Sequence, residues 1–196
     1  EGGEDLPFLL RHAELADVAQ PGRPVEHPKD DALAVESRNG RDAEIDRAVT
    51  AAYKGIYSNM GEVCNAGSRL LVERRIHDRF VERFVELGRD AYRPGDPLDP
   101  AVNMGPLVTR EAQQRVLRLI EAGSREGARL QFGGAAPRDL GSGAYVSPTL
   151  FTGVRNDMSI ARQEIFGPVA AVIPFDGVDE AISIANDTIY GLAAGV

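Results

Sequence analysis

Cysteine and tryptophan are the residues that this chain lacks most: its 196 residues include one cysteine, Cys64, and no tryptophan. A single thiol cannot close an internal disulfide, so the chain is not a disulfide-stapled scaffold. No apolar stretch approaches the roughly 20 residues of a membrane-spanning helix, and none resembles the core of a secretory signal. These absences predict a soluble, cytoplasmic protein with no membrane partner.

Positive charge is also scarce, with 22 Lys and Arg against 30 Asp and Glu and a net charge of −8. A nucleic-acid partner is excluded, because neutralising phosphates needs clustered Lys and Arg. The three histidines, His12, His27 and His77, have no partner at metal-ligand spacing and are interpreted as surface residues. Asp96 and Asp99 fit no calcium loop and are interpreted as part of a proline-rich turn. The sequence therefore predicts no metal site.

The chain divides near residue 42. Residues 1–41 are rich in proline and poor in aliphatic side chains, which predicts an irregular segment of unclear origin with few core contacts. From Asp42 onward helical and strand patterns alternate, which is typical of an α/β sheet covered by helices. The predicted elements are helices over 42–59, 76–91, 109–127 and 179–186 and strands over 68–73, 130–132, 169–175 and 192–196.

Cys64 lies where the first helical pattern stops and the first strand pattern begins. Gly61 and Gly67 allow tight turns on either side of it, so the thiol stands on a junction and not inside a packed element. A junction suits a nucleophile. A lone cysteine is also commonly a small buried hydrophobic residue, and its position alone leaves both interpretations open.

Motifs around this cysteine and downstream of it carry a family resemblance. The blocks, in chain order, are Tyr57-Ser58-Asn59-Met60-Gly61-Glu62-Val63-Cys64-Asn65-Ala66-Gly67-Ser68-Arg69-Leu70, Gly95-Asp96-Pro97-Leu98-Asp99-Pro100, Met104-Gly105-Pro106-Leu107, Gln163-Glu164-Ile165-Phe166-Gly167-Pro168-Val169 and Asn186-Asp187-Thr188-Ile189-Tyr190-Gly191-Leu192. The first resembles the active-site cysteine segment of the NAD(P)-dependent aldehyde dehydrogenases, and the others follow in that family's order. The resemblance covers residues 42–196.

The resemblance implies a three-layer αβα catalytic domain that oxidises an aldehyde to a carboxylic acid with NAD or NADP. Cys64 would be the nucleophile, passing through a thiohemiacetal and a thioester, with its own N–H as an oxyanion donor. Glu164 would bind the ribose hydroxyls on the nicotinamide side, and Phe166 would pack near the nicotinamide ring. The family also implies a homo-oligomer, and the cysteine segment is most similar to members of the ω-aminoaldehyde type, such as gamma-glutamyl-aminobutyraldehyde dehydrogenases.

The chain departs from the family pattern in two places. The family's Glu-Leu-Gly-Gly-Lys block, which carries the general base, is missing, and a loose alignment places the base position on Ala32. Glu62 stands where the family usually has Gln; it is either a substitute base or a charge that raises the thiol pKa. Asn186, Tyr190 and Gly191 match a family block and are interpreted as structural.

The family's cofactor-binding domain would precede residues 42–196, and further sheet and oligomerisation segments would follow them. We therefore expect residues 42–196 to be a catalytic domain truncated at the C-terminus. Two alternatives to a dehydrogenase remain open: an inactive fragment with only an association role, and a cofactor-independent cysteine esterase. We expect iodoacetamide to label Cys64 in the isolated chain, and we expect that chain to reduce no NAD(P).

Overall fold

A computed structural model describes residues 32–35 and 42–195 of the chain. The helices are α1 (Asp42–Tyr57), α2 (Arg74–Gly88), α3 (Arg110–Arg125), α4 (Ser159–Arg162) and α5 (Val178–Asn186). The strands are β1 (Ala32–Val35), β2 (Arg69–Glu73), β3 (Arg129–Phe132), β4 (Thr149–Thr152), β5 (Val169–Phe175) and β6 (Ala194–Gly195). Each helix and strand predicted from Asp42 onward is therefore confirmed, with boundaries shifted by a few residues.

The six strands form one sheet in the order β3-β4-β5-β2-β1-β6. All neighbouring pairs are parallel except the antiparallel pair of β3 and β4 at one edge. Strands β2 and β5 lie side by side at the centre, with Leu70 opposite Val172 and Leu71 opposite Ile173. Their near-continuous apolar runs are typical of parallel strands that are covered on both faces.

Successive side chains of the central strands enter two different cores, because side chains along a strand alternate between its faces. Leu70, Val72 and Val172 pack with α1 and α2. Leu71 and Ile173 pack on the opposite face with α3, α4 and α5. The result is the three-layer αβα arrangement that the sequence predicts.

One expectation about the N-terminal segment is wrong. Ala32–Val35 lies within residues 1–41, yet it forms strand β1 between β2 and β6, with Ala32 opposite both Arg69 and Ala194. A run of four residues is too short for a periodicity signal, and pairing on both sides supplies the backbone hydrogen bonds that local sequence does not reveal. Residues 1–31 and 36–41 lie outside the described residues, and the division of the chain at residue 42 stays a prediction.

Candidate active site

Residues 58–68, called here the cysteine loop, join α1 to β2. Asn59, Met60 and Gly61 are three consecutive residues with positive φ, at 50°, 59° and 71°. The Asn59 side-chain amide donates to the Glu62 carbonyl oxygen at 2.9 Å, and the Glu62 N–H donates back to the Asn59 carbonyl at 3.0 Å. Left-handed backbone is unfavourable for a methionine, so this loop holds a strained turn immediately before the thiol.

Cys64 is exposed in a turn of the cysteine loop, so the predicted position between a helix and a strand is confirmed. The turn is closed by the Ala66 N–H donating to the Val63 carbonyl oxygen at 3.1 Å. No acceptor among the described residues takes the Cys64 N–H. The thiol and its own amide are therefore both available to a reactant.

Residues 163–168, called here the glutamate loop, lead into β5. Glu164 is exposed, Ile165 is buried and Phe166 is half-buried with a φ of 51°. The main chain at Glu164 is held from two directions: its carbonyl accepts from the Arg115 guanidinium at 3.0 Å, and its N–H donates to the Tyr190 hydroxyl at 3.1 Å. These contacts hold only the main chain of Glu164. Its side chain is exposed, and its carboxylate makes no ion pair with a described residue.

The two loops meet because they precede β2 and β5, which are neighbouring parallel strands and begin at the same edge of the sheet. Together they line one cleft, with Val63 and Ala66 from the cysteine loop and Glu164 and Phe166 from the glutamate loop. In sequence, Cys64 lies between Val63 and Ala66, the two cleft-lining residues named from its loop. Glu164 therefore lines the same cleft as residues of the cysteine loop, while the role of Cys64 and Glu164 as site residues stays a prediction.

Glu62 is half-buried and hydrogen-bonded. Both carboxylate oxygens accept from the Val108 N–H, at 3.0 and 3.2 Å. Burial raises the pKa of the Glu62 carboxyl, while the Val108 hydrogen bond and the charge of Arg115 act in the opposite direction. The carboxylate is thereby tied to the segment that precedes α3.

A second cluster of polar side chains orders the segment that carries Tyr190. The Arg69 guanidinium donates to the Asn156 side-chain oxygen at 2.9 Å, and the Asn156 amide donates to the Asp187 carboxylate at 2.9 Å. Arg162 pairs with the same carboxylate at 2.8 Å, and this hydrogen bond is the main cause that holds the Asp187 pKa below its usual range. Arg69 and Asp187 both lie in the family blocks. They are far apart in sequence, so the sequence does not predict that Asn156 links them.

The interpretation of the histidines and turn carboxylates has a mixed outcome. Asp96 and Asp99 accept backbone N–H groups from Leu98 and Ala101 at 2.9 Å, as turn residues do. His77 is not the open surface residue expected, because its side chain is 13% exposed and its Nδ1 lies 2.9 Å from the neighbouring Asp78 carboxylate. His12 and His27 lie outside the described residues. Over the part of the chain that the structure describes, no three His, Cys, Asp or Glu residues cluster in a way that could hold a metal ion.

The sequence of residues 40–196 matches the model of the Aldehyde dehydrogenase family. The chain belongs to that family. It is 50% identical over 157 residues to a betaine aldehyde dehydrogenase of Brucella anthropi, covering 79% of this chain and 32% of that protein. The chain thus spans about a third of the length of this curated relative.

Solved structures give the same result. The gamma-glutamyl-gamma-aminobutyraldehyde dehydrogenase of Burkholderia cenocepacia superposes with a TM-score of 0.76 at 51% identity, covering 85% of this chain and 33% of that one. An indole-3-acetaldehyde dehydrogenase in complex with NAD⁺ superposes with a TM-score of 0.76 at 46% identity, with the same two coverages. Within residues 32–35 and 42–195, no helix combines the length and the apolar character needed to cross a membrane.

Proposed function

We propose that this chain provides the catalytic region of an NAD(P)-dependent aldehyde dehydrogenase, which oxidises an aldehyde to a carboxylic acid through Cys64. One observation carries the proposal: the single cysteine is exposed in a loop that holds a strained turn just before it, and this loop shares a cleft with Glu164 and Phe166. Strained backbone of this kind is common at functional sites. The names of the relatives, all dehydrogenases of aldehydes, support the same reaction.

The chemistry at Cys64 follows from the reactivity of a thiolate. Attack on the aldehyde carbon forms a C–S bond and moves the carbonyl electron pair onto oxygen, which gives a thiohemiacetal. The resulting oxyanion can accept from the Cys64 N–H, which has no acceptor among the described residues. When the carbonyl re-forms, hydrogen leaves the carbon as hydride and a thioester remains on Cys64. Water then cleaves the thioester, releasing the acid and restoring the thiol.

The glutamate loop fits a nicotinamide cofactor, whose chemistry when bound is to accept the hydride. An ionised carboxylate offers only acceptors, and Glu164 is exposed at the cleft without an ion pair among the described residues, so it can take hydroxyl donors of a ribose. Phe166 is half-buried against the same cleft and offers an apolar ring to a flat heterocycle. We propose both residues as cofactor-binding and leave the cofactor as NAD or NADP.

The substrate class is narrower than the family. We propose an aliphatic aldehyde of the ω-amino type, supported by the similarity to a gamma-glutamyl-gamma-aminobutyraldehyde dehydrogenase. We further propose a homo-oligomeric, cytoplasmic protein by analogy with the family. Glu62 is a weaker candidate for the base that activates water, because its carboxylate already accepts from the Val108 N–H.

A chimeric enzyme tests the proposed function. Residues 42–195 of this chain would replace the corresponding region of a betaine aldehyde dehydrogenase, and reduction of NAD(P) would be followed with γ-aminobutyraldehyde and a simple aliphatic aldehyde. We expect aldehyde-dependent reduction that Cys64→Ala abolishes. A folded chimera that reduces no cofactor with any aldehyde, or one whose activity survives Cys64→Ala, would contradict the proposal.

A further inference from the structure

Both loops of the cleft are attached to the first half of α3. The Glu62 carboxylate of the cysteine loop accepts from the N–H of Val108, two residues before that helix. On the glutamate loop, the Glu164 carbonyl accepts from Arg115 of α3, and a Cβ on Gly167 would lie 2.5 Å from Val116. The start of α3 is therefore a common support for both loops.

The segment 107–109, to which Glu62 is hydrogen-bonded, is itself held in place on both sides of Val108. Thr109 caps α3 by accepting the Ala112 N–H at 3.1 Å, and Leu107, on the other side of Val108, is 4% exposed and part of the core. Val108 itself is 77% exposed, so its side chain does not hold the contact. The cysteine loop is joined to this segment by a bifurcated, charge-assisted hydrogen bond from the Val108 N–H to both Glu62 carboxylate oxygens, and charge-assisted hydrogen bonds are stronger than neutral ones.

We propose that Glu62 is a positioning residue for Cys64: its carboxylate holds the cysteine loop on the amide of Val108, so that α3 aligns the thiol with the glutamate loop. This inference deepens the proposed function, on which the role of the thiol rests, but the attachment itself is a property of the loop. Arg115 is the charged group of α3 that acts on this carboxyl, and the Cys64 thiol is the neighbouring titratable group on its own loop.

Glutamine provides the discriminating substitution. Glu62→Gln keeps an acceptor oxygen at the same reach and removes the charge, whereas Glu62→Ala removes both. Glu111→Gln makes the same charge change in the first turn of α3, at an exposed residue, and serves as the matched control. All three variants would be made in the full 196-residue chain.

Amide hydrogen exchange measured residue by residue gives the readout, expressed as protection relative to the unfolded rate at each pH. In Glu62→Ala we expect protection of the Val108 amide and of the Ala66 amide to fall by about tenfold or more, with amides of β2 unchanged. Glu62→Gln should restore most of the protection, and Glu111→Gln should leave it as it is.

Unchanged protection of Val108 and Ala66 in Glu62→Ala would overturn the proposal. So would an equal loss of protection in β2, which would mean that Glu62 acts on the whole fold and not on the loop. The exchange measurement needs no aldehyde and no cofactor. Its failure is therefore distinguishable from failure of the chimeric enzyme to oxidise aldehydes.

Discussion

Gly61 lies so close to Gly167 that a Cβ on Gly61 would stand 2.3 Å from the Gly167 carbonyl oxygen. The obstacle is backbone, which cannot swing aside as a side chain does. This contact joins the turn before Cys64 to the loop that carries Glu164 and Phe166. The geometry of the cleft therefore depends on the absence of a side chain at position 61.

Gly61→Ala should be strongly destabilising. The residue has a φ of 71°, where alanine costs about 1–2 kcal/mol, and the clash adds about 1–3 kcal/mol. Gly55→Ala is the matched control, because Gly55 lies within α1 and a methyl group added there would meet no atom within 4 Å, and it should gain about 0.5–1 kcal/mol. Denaturant unfolding of both variants measures the difference. Equal stabilities would contradict the described packing of the two loops.

Tyr57→Phe should cost about 1–3 kcal/mol of unfolding free energy, because it leaves the buried Thr149 carbonyl without its donor. The Tyr57 hydroxyl donates to that carbonyl at 3.0 Å, and burial raises its pKa well above the usual value, so the donor proton is retained. Tyr53→Phe is the control, because the Tyr53 hydroxyl has no hydrogen-bond partner among the described residues; it should change stability by less than about 0.5 kcal/mol.

Glu164→Gln in the chimeric enzyme should weaken cofactor binding by about tenfold or more, which is the scale of a lost hydrogen bond to a charged group. The effect should appear mainly in the KM for NAD(P), with the KM for the aldehyde little changed. Glu111→Gln makes the same charge change on an exposed helix position and should leave both constants unaltered. An unchanged cofactor KM in Glu164→Gln would remove Glu164 from the proposed binding site.

Asp187→Asn should make the stability of the folded chain depend less on pH in the acid range. The hydrogen bond from Arg162 lowers the pKa of Asp187 from its ordinary value of 3.8, so the folded state binds fewer protons than the unfolded state around that pH. The stabilisation is fully present above pH 3.8 and is lost as the pH falls through the lowered folded pKa. Thermal midpoints measured from pH 6 down to about pH 2 should converge for the two proteins at the acid end. Asp139 is exposed and has no ion pair among the described residues, so Asp139→Asn serves as the control. Its thermal midpoint should change with pH in the same way as that of the unsubstituted chain.

The sequence predicts the frame of the site because that frame is built from local patterns. The helical period from Asp42 and the apolar run of β2 fix the position of Cys64 between them, and the run 169–175 predicts β5. Because two parallel neighbouring strands begin at the same edge, the loops that precede them meet without any further information. Family motifs add the chemical roles.

The sequence does not predict the attachments that order these loops. Glu62 and Val108 are 46 residues apart, and Glu164 and Tyr190 are 26 apart, so no periodicity brings either pair together. Helix α4, with four residues, is as invisible to periodicity as β1. The Tyr190 hydroxyl in particular serves the glutamate loop, whereas its motif predicts only a structural role at a turn.

Trapping the acyl group on Cys64 during turnover tests the central claim most directly. The chimeric enzyme would be mixed with an aldehyde and NAD(P), quenched in acid during the first turnover, digested, and analysed by mass spectrometry of the peptide that contains Cys64. We expect that peptide to carry the mass of the corresponding acyl group, and to carry none when the cofactor is omitted, because only oxidation converts the reversible thiohemiacetal into a thioester. Cofactor reduction during the first turnover with no acyl group on Cys64, or with the acyl group on another residue, would contradict the assignment of Cys64 as the nucleophile.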